Sequence, residues 1–231
     1  CEHKKKGRNM NKASNYWLER PLGNAFACPN VSLFRLIGSV LPSLEGLNCL
    51  EIGFGHGADL VECASRGGKI FGLDLNPIYV NNMYSKTGSP TETFYAGKDR
   101  IPFEPQFDLI YSRDTIYYIT DNEISFFLKD CYLKLKKSSY LIVQFLEKDY
   151  VLNNAEKSNR SEFETGFLKN YSEKNHFEPD NPIRLLNPSS LIKLGADAQL
   201  ECAGSKLQIE TYGSDLEKLR VNRYLVFQKI R

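Results

Sequence analysis

The chain has 231 residues, 42% of them hydrophobic and 25% charged, the make-up of an ordinary globular domain long enough to bury one substantial core. Its formal net charge of +2 implies no basic face, which argues against a nucleic-acid partner. No run approaches the ~18 consecutive apolar residues of a membrane span, and no charged-then-apolar leader opens the sequence, so the expectation is a cytoplasmic protein without a membrane partner.

The cysteines are Cys1, Cys28, Cys49, Cys63, Cys131 and Cys202. None forms a C-x-x-C pair, and the expectation is buried reduced thiols. The histidines are His3, His56 and His176, and none lies near a cysteine pair, so no metal site is expected. Lys4-Lys5-Lys6 with Arg8 reads as a solvated tail. Met10 would be a natural start, so the expectation is either that residues 1–9 are foreign or that the chain is cut from something longer.

Residues 11–28 are irregular, with Tyr16, Trp17 and Phe26 among polar neighbours. A packed loop and a flap closing over a ligand both fit, and residues 1–28 are taken as tail and flap ahead of a domain over 29–231. From Pro29 a helical stripe of Leu33, Phe34, Leu36, Ile37, Val40 and Leu41 runs until Pro42 ends it. Leu50 and Ile52 belong to a first strand that gives way to Gly53-Phe54-Gly55-His56-Gly57. A helix over 58–65 stops at Gly67-Gly68, and Ile70 to Leu73 form a second strand that delivers Asp74. Asn76-Pro77 is a cap followed by proline at the first helical position, and that helix runs to about Ser85.

The alternation at 91–96 predicts a third strand and Phe107–Ser112 a fourth. Asp121 is expected to cap a helix whose inner face is Ile124, Phe127, Leu128, Cys131 and Leu135, with Lys136-Lys137 at its dipole-favoured end. Tyr140–Leu146 is apolar enough to be a central fifth strand. Residues 147–186 break the pattern and read as an inserted cap, partly helical around 161–172. Asn187-Pro188 starts another helix. A sixth strand over 200–211, a turn or short helix over 215–220 and a last strand over 223–230 suggest an antiparallel pair closing a mostly parallel sheet. The fold expected is α/β, a doubly wound, Rossmann-like seven-stranded sheet with a small cap insertion.

The glycine turn fits two patterns. Gly53, Gly55 and Ala58 match the dinucleotide fingerprint G-x-G-x-x-A, while Glu51 with Gly53, Gly55 and Gly57 matches E-x-G-x-G-x-G. In either, Asp74 stands where a carboxylate at the end of the second strand accepts hydrogen bonds from ribose hydroxyls. Glu51 and the later stretches Ile101-Pro102-Phe103, Phe107–Ile110 and Ile116–Asp121 decide for the second. Together these residues resemble the class I S-adenosylmethionine-dependent methyltransferases, in the branch acting on small molecules, over about residues 30–146.

The resemblance implies S-adenosylmethionine as cofactor. Glu51 with the backbone of Gly53 and Gly55 would face its methionine part, and Gly57 would let the next helix start close by. Asp74 would hold the ribose, Leu75 would pack on the adenine, Lys98 or Asp99 would read the adenine, and Ser112 would lie near the transferring centre. An acceptor that must lose a proton needs a base, and the candidates are Tyr117, Tyr118, His176 and Asp114. Arg113, Arg184 and the flap residue Tyr16 are candidates for substrate contact. Core packing for the tyrosines, surface exposure for His176 and ordinary ion pairing for the arginines are the competing readings.

An Asn/Asp-Pro-Pro-aromatic run, typical of enzymes methylating nucleic-acid amines, is missing after the fourth strand, where Ser112-Arg113-Asp114-Thr115 stands. A glutamate-bearing hairpin and clustered metal carboxylates are missing too, which disfavours the arginine-methylating and metal-dependent branches. An NAD-dependent oxidoreductase and a non-catalytic cofactor-binding module remain as alternatives. The acceptor, its reacting atom and the oligomeric state stay open.

Overall fold

The computed structural model describes residue 18 and residues 28–104, 106–147, 186–212 and 218–230. Its centre is a seven-stranded sheet. In chain order the elements are helix α1 (Val31–Val40), β1 (Asn48–Ile52), α2 (Ala58–Ser65), β2 (Lys69–Asp74), α3 (Pro77–Thr87), β3 (Thr91–Thr93), β4 (Phe107–Ser112), α4 (Asp121–Lys134), β5 (Leu135–Leu146), α5 (Pro188–Asp197), β6 (Leu200–Tyr212) and β7 (Lys218–Lys229). The strand order is β3-β2-β1-β4-β5-β7-β6. Pairing is parallel from β3 through β5 and antiparallel from β5 to β7 and from β7 to β6. The doubly wound reading and the antiparallel closing pair both hold.

Local chemistry explains where the helices begin. Asn30 caps α1 by accepting from the Leu33 amide at 2.9 Å, and Leu41 leaves the helical region ahead of Pro42. Asn76 and Asn187 cap α3 and α5, each with proline following. Thr120 and Glu123 make a reciprocal capping box on α4. The expected cap, Asp121, is therefore the first helical residue, where its charge still favours the helix N-terminus.

Three strand boundaries differ from expectation. α4 ends at Lys134, and Lys136 and Lys137 lie in β5. Lys136 is held there by Asp108 of β4, Nζ to carboxylate at 2.7 Å, so a cross-strand ion pair overrides the helix-end preference. β3 stops at Thr93 because the backbone turns at 95–99, where Asp99 accepts from the Tyr95 amide at 2.8 Å. β7 starts at Lys218 rather than 223, extended by pairing with β6.

Apolar side chains pack in separate clusters on the two faces of the sheet. On one, α1, α2 and α3 place Leu33, Ile37, Leu60 and Met83 against Cys49, Leu109, Tyr111 and Ile142. On the other, α4 and α5 place Ile124, Phe127, Leu128 and Leu191 against Leu50, Ile110, Leu141 and Phe227. The wide stretch between β5 and α5 leaves the sheet at Glu147 and rejoins it at Leu186. These two residues form an isolated parallel bridge, with the Leu186 amide on the Leu146 carbonyl at 3.1 Å. The cap helix expected around 161–172 lies outside the described residues. Cys49, Cys63 and Cys131 are buried free thiols, as expected. Cys28 is exposed and Cys202 partly so.

Candidate cofactor and acceptor site

The chain leaves β1 for β2 and β3 on one side and for β4 on the other, so the crevice between the C-terminal ends of β1 and β4 is the topological switch point. The glycine turn fills it. Gly53, Gly55 and Gly57 have φ of 80°, 53° and 75°, values that side chains with a Cβ rarely adopt. The Gly53 amide donates to the Leu73 carbonyl at 2.7 Å, and the Gly57 amide to the Phe54 carbonyl at 2.8 Å. The three glycines differ in what a methyl group would meet. At Gly53 it would strike the Thr115 hydroxyl at 1.9 Å, and at Gly57 the Met83 Cε at 1.6 Å. At Gly55 it would meet no described atom within 4 Å. Gly53 is thus required by packing against Thr115 and Gly57 by its left-handed backbone with Met83 close by, while Gly55 faces a side left open by the described residues.

Asp74 stands beside that open position. One carboxylate oxygen accepts from the Gly55 amide and the other from the Asn76 amide, both at 2.8 Å. Burial pushes its pKa up to about 6, against the lowering effect of the Asn76, Gly55 and Leu75 amides. The amides fix the carboxylate's orientation and leave lone pairs on both oxygens for further donors. Two neighbouring hydroxyl donors suit that pair of acceptors.

Beneath the turn lies a buried charged network. Glu51, 2% exposed, accepts from the Tyr111 hydroxyl at 3.2 Å, and Tyr111 in turn accepts from the Cys63 thiol at 3.4 Å. Asp59, 1% exposed, accepts from the Asn30 amide at 2.7 Å and from Arg113 Nε at 2.8 Å. Arg113 Nη1 reaches Asp114 at 3.4 Å. Burial raises the Glu51 pKa well above the usual carboxylate range, aided by the Asp59 charge and opposed by Arg113. Burial disfavours the Arg113 cation, but Asp114, Asp59 and Glu51 together hold it more firmly protonated than usual.

Asp114 follows β4 directly and has a φ of 57°, an uncommon conformation for a residue with a side chain. It is pinned from both sides: its amide donates to Gln144 Oε1 at 2.8 Å, and its carboxylate accepts from the Tyr117 hydroxyl at 2.9 Å. Tyr117 and Tyr118 lie in a 3₁₀ turn (Ile116–Tyr118), both buried, with ring centroids 4.5 Å apart.

Other expected site residues fall as follows. Ser112 is buried at the end of β4 and its hydroxyl donates to the Ile52 carbonyl at 2.9 Å, tying β4 to β1. Leu75 is partly buried just past β2. Lys98 pairs with Glu123 at 3.3 Å and lies over the Tyr95 ring. Asp99 closes its own turn on the Tyr95 amide. The His56 ring turns back against Tyr79, centroids 5.2 Å apart. Arg113 is inside the site, with its charge shared between Asp59 and Asp114. Tyr16, His176 and Arg184 lie outside the described residues. Asp59 and Gln144 escaped the sequence reading. Asp59 sits one residue into α2, where an acidic residue looks like an ordinary dipole partner. Gln144 stands in an apolar strand, and its polarity was the one available signal. Among the described residues no group of His, Cys, Asp and Glu could hold a metal, and no helix is long and apolar enough to cross a membrane.

The strand order, the antiparallel β7 and the glycine turn beside an acidic β2 terminus define the class I S-adenosylmethionine-dependent methyltransferase fold, and this chain has it. Residues 49–138 match the family model described as a methyltransferase domain. An S-adenosylmethionine-dependent methyltransferase structure from Methanosarcina mazei superposes with a TM-score of 0.69 at 18% identity, covering 84% of this chain and 97% of that one. Magnesium protoporphyrin IX methyltransferase from Synechocystis PCC 6803, solved with bound S-adenosylhomocysteine, gives 0.60 at 14% identity, with 86% and 80% covered. A putative sarcosine dimethylglycine methyltransferase from Galdieria sulphuraria gives 0.59 at 13% identity, with 86% and 83% covered. No curated protein matches the sequence.

Proposed function

We propose that this chain transfers a methyl group from S-adenosylmethionine to the oxygen or nitrogen of a small-molecule acceptor. The observation that carries the reading is the Asp74 carboxylate, oriented by the Gly55 and Asn76 amides next to the open face of Gly55. Glu51, Gly53, Gly55 and Gly57 would serve the methionine side, Asp74 the ribose, and Leu75 with the Lys98-Asp99 turn the adenine. The cofactor supplies an electrophilic methyl on a sulfonium. The protein's share of the work is to orient the acceptor and exclude water.

Asp114, Tyr117 and Tyr118 follow the end of β4 at the switch point, the side we assign to the acceptor. The Tyr117 hydroxyl and the Asp114 carboxylate form a hydrogen-bonded pair that suits a proton-bearing acceptor. Tyr118 is the alternative proton carrier. His176, Arg184 and Tyr16 are proposed as further contacts to the acceptor. A metabolite with a hydroxyl or amine, such as a sugar or natural-product intermediate, fits this class.

The NAD-dependent alternative expects six parallel strands in the order 3-2-1-4-5-6. The antiparallel β7 inserted between β5 and β6 argues against it. Titration calorimetry with S-adenosylmethionine and with NAD tests the donor, and binding of NAD alone would end the methyltransferase reading. Formation of S-adenosylhomocysteine from a fractionated metabolite pool tests turnover, and binding without turnover would leave a cofactor-binding module. Tyr118→Phe is expected to lower turnover with little change in cofactor affinity. Normal turnover would return Tyr118 to a packing role.

A further inference from the structure

Gln144 is an amide side chain in an otherwise apolar stretch of β5, and it is 2% exposed. Its Oε1 accepts from the Asp114 amide at 2.8 Å. That bond also fixes which end of the side chain is oxygen, since a backbone amide can only donate. The other end, Nε2, is a donor, and among the described residues it has no hydrogen-bond acceptor. The enclosed side-chain atom without a partner among those residues is Gln208 Oε1, not Gln144 Nε2. The nitrogen therefore borders space that another molecule can enter. Val143 pairs with Ser112 at the end of β4, which puts Gln144 at the level where the chain leaves β4 for Asp114. In the sheet order β5 is two strands from β1 and three from β2, about 10 and 14 Å at the usual strand spacing. Gly55 and Asp74 stand at the ends of β1 and β2, so a nucleoside held by them is not what faces Gln144.

We propose that Gln144 contacts the methyl acceptor and selects one that carries a carbonyl oxygen close to the group to be methylated. This rests on the reading of Asp114 and Tyr117 as the acceptor side. Nε2 donates to the carbonyl oxygen, while Oε1 holds the Asp114 amide and with it the carboxylate that accepts from the Tyr117 hydroxyl. A carbonyl oxygen has lone pairs and no proton to place, which suits a nitrogen that can only donate. An acceptor lacking that oxygen would leave Nε2 buried and unpaired, the kind of loss by which a site built for a polar group rejects the analogue without it.

Nuclear magnetic resonance of the 15N-labelled full chain reads this contact directly. The Gln144 NH2 pair is identified as the pair missing from Gln144→Met. If that variant fails to fold, Gln144→Glu serves instead, since it keeps an oxygen for the Asp114 amide and removes the NH2 pair. Acetamide is the probe, and acetamidinium, of the same shape with nitrogen in place of the carbonyl oxygen, is the control. Each is titrated into the free chain and into the chain saturated with S-adenosylhomocysteine. Acetamide is expected to move the Gln144 NH2 protons downfield along a saturating curve in both, and acetamidinium to produce no such curve. Absence of saturation with acetamide, or an equal response to acetamidinium, would overturn the proposal. A comparable downfield shift on S-adenosylhomocysteine alone would assign the contact to the donor and overturn it too. Failure of the chain to bind S-adenosylhomocysteine, by contrast, would overturn the donor-site reading, and the acetamide titration of the free chain would still test Gln144.

Discussion

At the scale of single residues, Asp74 makes the sharpest claim. Its carboxyl is raised from the ordinary 3.8 to about 6 by burial. The sign follows directly. In the free protein its contribution to stability is fully present below the unfolded pKa and is lost as pH rises through about 6. In the proposed donor site the ribose hydroxyls would donate to the ionised form, so ligand affinity is expected to run the other way and to fall as pH drops below about 6. S-adenosylhomocysteine has the ribose without the sulfonium and isolates this effect. Its dissociation constant is expected to rise toward a limit of about tenfold per pH unit below about 6, measured by calorimetry between about pH 5 and about pH 8. Asp74→Ala removes charge-assisted hydrogen bonds of about 1.5–3 kcal/mol, a loss of roughly tenfold to a hundredfold in affinity. Unchanged binding would remove Asp74 from the site. Asp74 and the glycines were legible in the sequence because a tight turn and a strand end advertise themselves locally. Asp59 and Gln144 were not, since their roles depend on Arg113 and Asp114 arriving from elsewhere in the chain.

At the scale of elements, the glycine turn separates stability from binding. Gly57→Ala puts a side chain in the left-handed backbone just ahead of α2 and displaces the end of Met83 on α3, and is expected to destabilise the fold by about 1–3 kcal/mol, read as a shifted midpoint in urea. Gly55→Ala meets no described atom, so most of its cost should appear as lost cofactor affinity, with a smaller loss of stability from the positive φ. If Gly55→Ala bound S-adenosylmethionine normally, the open face would not be the ligand face. The Asp59–Arg113 pair joins α2 to the loop after β4, and through the Asn30 amide it also holds the start of α1. Asp59→Ala removes the acceptor of both the Asn30 amide and Arg113 Nε, while Asp114 still holds the guanidinium, and is expected to cost about 1–3 kcal/mol by the same urea measurement. Helix positions were readable from caps and periodicity. The starts of β5 and β7 were not, because Lys136 is drawn into the sheet by Asp108 and β7 is lengthened by its neighbour.

At the scale of the whole molecule, the seven-stranded sheet forms one platform with a long insertion after β5. The stretch between Glu147 and Leu186 leaves and rejoins the sheet at a single bridge, braced by the ion pair of Glu147 with Arg223, 2.8 Å at its closest. Replacing residues 148–185 with a Gly/Ser linker of about twelve residues, enough for a parallel crossover, is expected to preserve cofactor binding while abolishing acceptor methylation. Loss of cofactor binding in that variant would make the segment part of the donor site. The hydrogen-bond partner of Asn30 on β7 has a kinetic consequence. The Tyr224 hydroxyl lies 3.3 Å from the Asn30 side chain across 194 residues of sequence, and β7 itself is the strand that joins β6 to β5. During synthesis α1 and the first βα units emerge long before the strand that completes their packing. The nascent domain must then wait with β5 as an open edge until β7 is released, an aggregation-exposed interval that slow, long-range pairing prolongs.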